Sequence, residues 1–255
     1  MKPNQNQANG SPLRDLLKGT TWAAFCFSVF VQLPVNSAAA AESELPLFNS
    51  KEILDESTLD IKILQDWHPA GATRQKLIEI NVAEWWPGQD YRIPVRMIVP
   101  LNGKAKGFHI TGANAYEGLM QDSRPNPFQE KLLAGGVGIV KTHVKAFRQI
   151  PGKRGLEQQM GRRFMQDLNP RYTTIWIWSM TLMRATTAAY AETEHFEKGK
   201  VAGSGSSKNG ISPAVALIND ERFTATCSIA SSPNHWRVKW WVKRSNLGSF
   251  RIRST

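Results

Sequence analysis

Cysteine is nearly absent: 255 residues contain only Cys26 and Cys227. Neither C-x-x-C nor H-x-x-x-H occurs, and His68, His109, His143 and His195 are scattered without ligand spacing, so no metal site is expected. Acidic residues are scarce as well, 21 against 32 Lys and Arg, giving a net charge of +11. Such a balance allows an anionic partner. A long hydrophobic run is also missing. The apolar stretch from Trp22 to Val35 is shorter than the roughly 20 residues that cross a bilayer.

What is present around that stretch has a simpler reading. Lys2, Arg14 and Lys18 precede it and "NSAAAAESE" follows it, the order of a secretory signal peptide cleaved near Ala39 to Ala41. Residues 1–41 are thus expected to be removed, leaving no stable membrane anchor and a secreted or periplasmic product; a retained signal anchor is the alternative. Cys26 leaves with the signal. Cys227 alone remains, so the mature chain has no internal disulfide and depends on its core. With 41% hydrophobic and 21% charged residues, it has the means to build one.

Residues 42–233 alternate between strand and helix patterns. "QKLIEINVAEWW" and "YRIPVRMIVP" flank "PGQD" and predict a hairpin, with one of Trp85 and Trp86 turned inward and the other free to line a surface. "KGFHITGANAY" and "GVGIVKTHV" predict further strands, and the glycines of "LAGGVGIV" a helix end. "TTIWIWSMTLMRATTAAYAETEHF" predicts a helix capped by threonine and stopped by the glycine of "EKGK". "KVAGSG" predicts a strand, "ISPAVALIND" a short helix and "RFTATCSIASS" a last strand. The Arg162 and Arg163 cluster reads as a solvated face. Together this is an α/β protein with a mostly parallel sheet and an N-terminal antiparallel hairpin.

The segment Gly203 to Gly210, "GSGSSKNG", falls at a strand-to-helix junction. Its glycines fit neither G-x-x-x-x-G-K-[ST] nor G-x-G-x-x-G, so no nucleotide cofactor is expected. They do fit a sharp turn with Ser207 at its apex, Gly205 two residues before and Asn209 standing where a second small residue is usual, a position where asparagine would tolerate positive φ. The Lys208 amide would then open a helix and face an oxyanion. Pro213 requires that helix to restart near Ser212 or to kink.

G-x-S-[KR]-[NR]-G after a strand resembles the nucleophile turn of the α/β-hydrolases, in particular the PhoPQ-activated pathogenicity-related proteins and the glucuronoyl esterases. The resemblance covers about residues 75–232. It implies an α/β-hydrolase-like fold, Ser207 as nucleophile of an esterase acting through an acyl-serine, and Lys208 as an oxyanion donor. It implies a second donor at Gly112, in the loop after "FHI", and a small-molecule or carbohydrate ester as substrate. It also requires an acid and then a histidine after the serine. Only Asp220, Glu221 and His235 follow. The two acids read as solvated helix-end charges, and His235 is a candidate base that comes early for the family. The sheet therefore reads as incomplete at the C-terminus, and the chain as weakly active or inactive.

Residues 234–255 carry six basic residues, no acidic ones and three tryptophans. One reading is a cationic, aromatic arm for an anionic surface, which would make the chain a binding protein. The other is out-of-frame sequence joined where a hydrolase would continue. Nucleic acid is not expected as a partner, and oligomeric state is open.

Overall fold

The computed structural model describes residues 47–145, 155–232, 235–243 and 250–254, with residues 208, 229–232 and the last two segments described through their backbone alone. The expected signal segment 1–41 lies outside the described residues. Among the described residues nine strands form one open sheet in the order β1-β2-β3-β5-β4-β6-β7-β8-β9. β1 (Lys62–Ala70), β2 (Thr73–Trp86) and β3 (Gln89–Pro100) are an antiparallel meander, and β3 also pairs antiparallel with β5 (Gly138–Thr142). β5, β4 (Ala105–Thr111), β6 (Phe196–Ser206) and β7 (Phe223–Ser232) run parallel. The sheet is therefore mixed and open, as the alternation of strand and helix patterns predicts.

The hairpin stands where the sequence puts it, turning through Pro87 and Gly88, whose φ of 77° suits glycine. Both tryptophans before the turn are buried, against the expectation that one would be free. Trp85 donates from Nε1 to the Arg171 carbonyl at 2.9 Å, and Trp86 is covered by Tyr172 and by the Arg163 guanidinium 5.0 Å from its ring. Arg163 is thus a lid on an aromatic rather than a solvated charge; Arg162 beside it is exposed.

Short helices α1 (Ser50–Leu54), α2 (Tyr116–Leu119) and α3 (Pro127–Ala134) precede α4 (Leu156–Asp167) and α5 (Thr174–Ala191). α3 has a complete capping box between Asn126 and Gln129 and stops at Gly135, as the glycines there predict. Its Leu133 packs with Ile98 and Ile139 on one face of the sheet. α5 covers the other face. Thr173 caps it by accepting from the Trp176 amide, and Trp176 through Tyr190 are buried. Ser179, Thr181, Thr186 and Thr187 survive burial by donating to carbonyls one turn back. Arg184, also buried, donates to the carbonyls of Glu52, Ile53 and Asp55, and to Thr58 Oγ1. That guanidinium fixes the α1 segment to α5.

α5 ends at Ala191, earlier than predicted. Gly199 is no helix stop but part of β6, where a side chain would meet the Lys106 carbonyl at 2.6 Å. After α6 (Ile211–Asn219) and β7, the sheet does not end at residue 232 as expected: β8 (His235–Lys243) and β9 (Phe250–Ser254) continue it antiparallel. "HWRVKWWVK" contains a period-two pattern, Trp236, Val238, Trp240 and Val242, that supports a strand.

Candidate active site

β6 ends at Ser206 and the chain reverses through a 3-10 turn, Ser207–Gly210, into α6. Ser207 has φ 53° and an exposed side chain. Only glycine reaches this left-handed region without steric cost, which for serine is about 1–2 kcal/mol. The glycines around it are dictated by proximity. A Cβ on Gly205 would lie 2.3 Å from the Asn209 carbonyl oxygen, one on Gly210 2.3 Å from Ser228 Oγ, and one on Gly203 2.8 Å from Pro213 Cβ. Strand, turn and helix therefore approach more closely than side chains at these positions would allow, with the serine at the crest.

Two details differ from expectation. Positive φ falls on Ser207 itself, where the chain leaves β6 and the 3-10 turn begins, and not on Asn209; Asn209 Oδ1 is buried without a hydrogen-bond partner. The helix restarts at Ile211, behind Gly210 at its cap, and Pro213 falls in the first turn, where its missing N–H would have had no intrahelical acceptor.

Neighbouring strands bring a second loop to this end. Thr111 pairs with Ser204, so the loop beginning at Gly112 opens beside the Ser207 turn. Gly112 is buried, its carbonyl accepts from the Val144 amide at 2.9 Å, and a Cβ there would lie 2.4 Å from Val144 Cγ1. The loop is wired by Asn114 and His143, neither of them a predicted site residue. Asn114 Nδ2 donates to the Thr111 carbonyl, Thr111 Oγ1 and the Thr142 carbonyl, tying β4 to β5. His143 Nδ1 in turn donates to the Asn114 carbonyl, and its buried Nε2 has no partner. A glycine followed two residues later by asparagine at a strand end was the available signal.

The acid and base are placed less helpfully. Asp220 is not solvated: it is buried and bound by Arg222 Nη2 at 2.7 Å, with Arg222 anchored to Thr187 and the Met183 carbonyl. It also sits at the start of β7, the opposite end from Ser207. Glu221 is exposed. The backbone of His235 pairs with Ser232, at the same end of the sheet as Ser207 but two strands away. His109 is no substitute, since burial pushes its pKa down to about 4. No described side chain hydrogen-bonds Ser207 Oγ, and Lys208 is placed by its backbone within the turn. Among the described residues no group of three or more His, Cys, Asp or Glu is arranged to hold a metal ion, and no helix is long and apolar enough to cross a membrane.

No family model matches the chain, and no curated protein matches it. Solved esterases resemble it distantly. A promiscuous CE15 esterase from a marine bacterial metagenome superposes with a TM-score of 0.44 and 15% identity, over 65% of this chain and 50% of that one. A CE15 glucuronoyl esterase from Teredinibacter turnerae gives 0.41 and 17%, over 65% and 43%. Acetyl xylan esterase 1 from Thermoanaerobacterium gives 0.40 and 13%, over 65% and 50%. The chain spans about half the length of these enzymes or less.

Away from Ser207, a cavity of about 1370 Å³ lies between the β1–β2 turn, the end of β3 and the loop joining α2 to α3. Its wall includes Thr73, Asn102, Asp122, Ser123, Arg124 and Glu130. Behind it, fully buried Arg96 donates to the Leu119 carbonyl, Gln75, Gln65 and Asp122. His68 joins the same carboxylate at 3.0 Å; the Asp66 carbonyl and then Asp122 raise its pKa above 6.5, while His68 holds Asp122 below 3.8.

Proposed function

We propose that this chain is an exported carboxylic ester hydrolase that acts through an acyl-serine at Ser207. The observation that carries the reading is an exposed serine at φ 53° between glycines whose side-chain positions are filled by backbone and neighbouring residues. Such a turn costs stability and is retained where a nucleophile must project. Ser207 Oγ attacks the acyl carbon, and the carbonyl oxygen takes the electron pair. The amides of Lys208 and Gly112, at adjacent strand ends, receive that oxygen. The leaving alcohol departs with a proton, and water releases the acid.

The hydroxyl proton needs an acceptor, and His235 is the candidate base by backbone position. With Asp220 taken up by Arg222 at the opposite end of the sheet, turnover is expected to be slow. The substrate is a small-molecule or carbohydrate ester. Turnover of 4-nitrophenyl acetate by the full chain is expected to be weak and to fall in Ser207→Ala. Equal turnover in that variant would remove Ser207 from the mechanism.

A further inference from the structure

A second serine has what Ser207 lacks. Ser123, on the cavity wall, accepts a hydrogen bond at Oγ from Lys141 Nζ of β5. Its backbone is held on both sides by one fully buried side chain: Gln75 Nε2 donates to the Ser123 carbonyl at 2.8 Å, and Gln75 Oε1 accepts from the Ser123 amide at 2.8 Å. The hydroxyl is therefore fixed, partly exposed and in contact with an amine.

The charge balance of this cluster favours a neutral amine. Asp122, the carboxylate of this cluster, is taken by Arg96 at 3.2 Å and His68 at 3.0 Å. No described carboxylate pairs with Lys141. Burial first, and the Arg96 charge second, hold the lysine below its usual 10.5. A desolvated lysine beside another cation is a base at moderate pH. Once it is neutral, the contact serves in the opposite sense, with the hydroxyl donating to the nitrogen lone pair.

We propose that Ser123 and Lys141 form a second acyl-transfer site, with the hydroxyl as nucleophile, the amine as its base and the adjoining cavity as the seat of a carboxylic ester. Ser123 Oγ bonds to the acyl carbon as its proton passes to Lys141 Nζ, and the carbonyl electron pair moves to oxygen. Arg124, exposed on the same wall, is the cation at hand for that oxygen. Collapse breaks the bond to the alcohol, which leaves with the Lys141 proton. Water then gives one proton to Lys141 Nζ as its hydroxide adds to the acyl carbon, and the bond to Ser123 Oγ breaks as Lys141 returns that proton to Oγ, releasing the acid and restoring the serine and the neutral amine.

A fluorophosphonate probe on the full chain, with tryptic mass spectrometry to locate the adduct, separates the two serines. In Ser207→Ala, phosphonylation is expected at Ser123, at a rate rising with pH through a titration below the ordinary lysine value. Adding Lys141→Met should lower that rate about a hundredfold, the loss of a general base. Lys141→Arg, which keeps the cation and removes the base, should do the same and carries the test if the methionine variant fails to fold. A Ser207→Ala chain with no adduct at Ser123, or an adduct whose rate is indifferent to both lysine variants, overturns the proposal. Adducts at Ser207 alone in the unaltered chain do so as well, while leaving the esterase reading intact.

Discussion

Ser207 and Ser123 are complementary halves of what acyl transfer requires. Ser207 has the backbone: a left-handed crest, glycines packed against glycines and two strand ends opening together, but no described side chain on its hydroxyl. Ser123 has the side chain partner and a clamped backbone, without the strained turn. The difference teaches that a proton acceptor and an oxyanion cradle are built by separate means. A cradle is local and made from small residues a few positions apart. An acceptor is delivered by another element, here from β5 to a loop 18 residues earlier.

The variants that break this contrast differ in size. Gly205→Ala should have the largest effect, because its Cβ would stand 2.3 Å from the Asn209 carbonyl oxygen. A loss of about 3 kcal/mol is expected by urea unfolding, together with loss of labelling at Ser207 and not at Ser123. Arg96→Met strikes the other half. It strands the Leu119 carbonyl and two glutamine side chains, costing about 2 kcal/mol and lowering labelling at Ser123 while sparing Ser207. Ser207→Gly goes the other way and should stabilise by about 1 kcal/mol, since φ 53° costs glycine nothing. Unchanged stability there would mean that the crest is unstrained.

The smallest effect concerns His68. Its pKa is raised on folding, so its contribution is complete below 6.5 and is lost as pH rises through the folded value. Asp122 is lowered, so its share is present above 3.8 and lost as pH falls. The tie between β1 and the Ser123 loop is thus strongest between those limits. His68→Gln should remove about 0.5 kcal/mol there and flatten the pH dependence of stability above pH 6.5.

What could be read from sequence follows the same division. The hairpin, β4, β5, the α3 stop and the Ser207 turn are local patterns of alternation and glycine, and all were legible, although the turn placed its positive φ on the serine instead of on Asn209. The Ser123 and Lys141 pair was not, because nothing in either neighbourhood points to the other. Trp86 and Arg163 illustrate the same blindness: the arginine reads as solvated, and one of the two tryptophans as free, until α4 brings Arg163 over the Trp86 ring. Asp220 looked solvated because its partner, Arg222, acts through an anchor on α5. β8 was missed for a different reason, since its density of charge masked an alternation that was present.

The guanidinium of Arg184 sets an order of assembly. Its acceptors lie 126 to 132 positions earlier in the chain, and Thr187 Oγ1 reaches back 134 to the Ile53 carbonyl. Closing contacts over such separations is slow. During synthesis, residues 50–58 leave the ribosome long before their helix exists and have no native place to dock until it emerges. A stretch made early is locked down late.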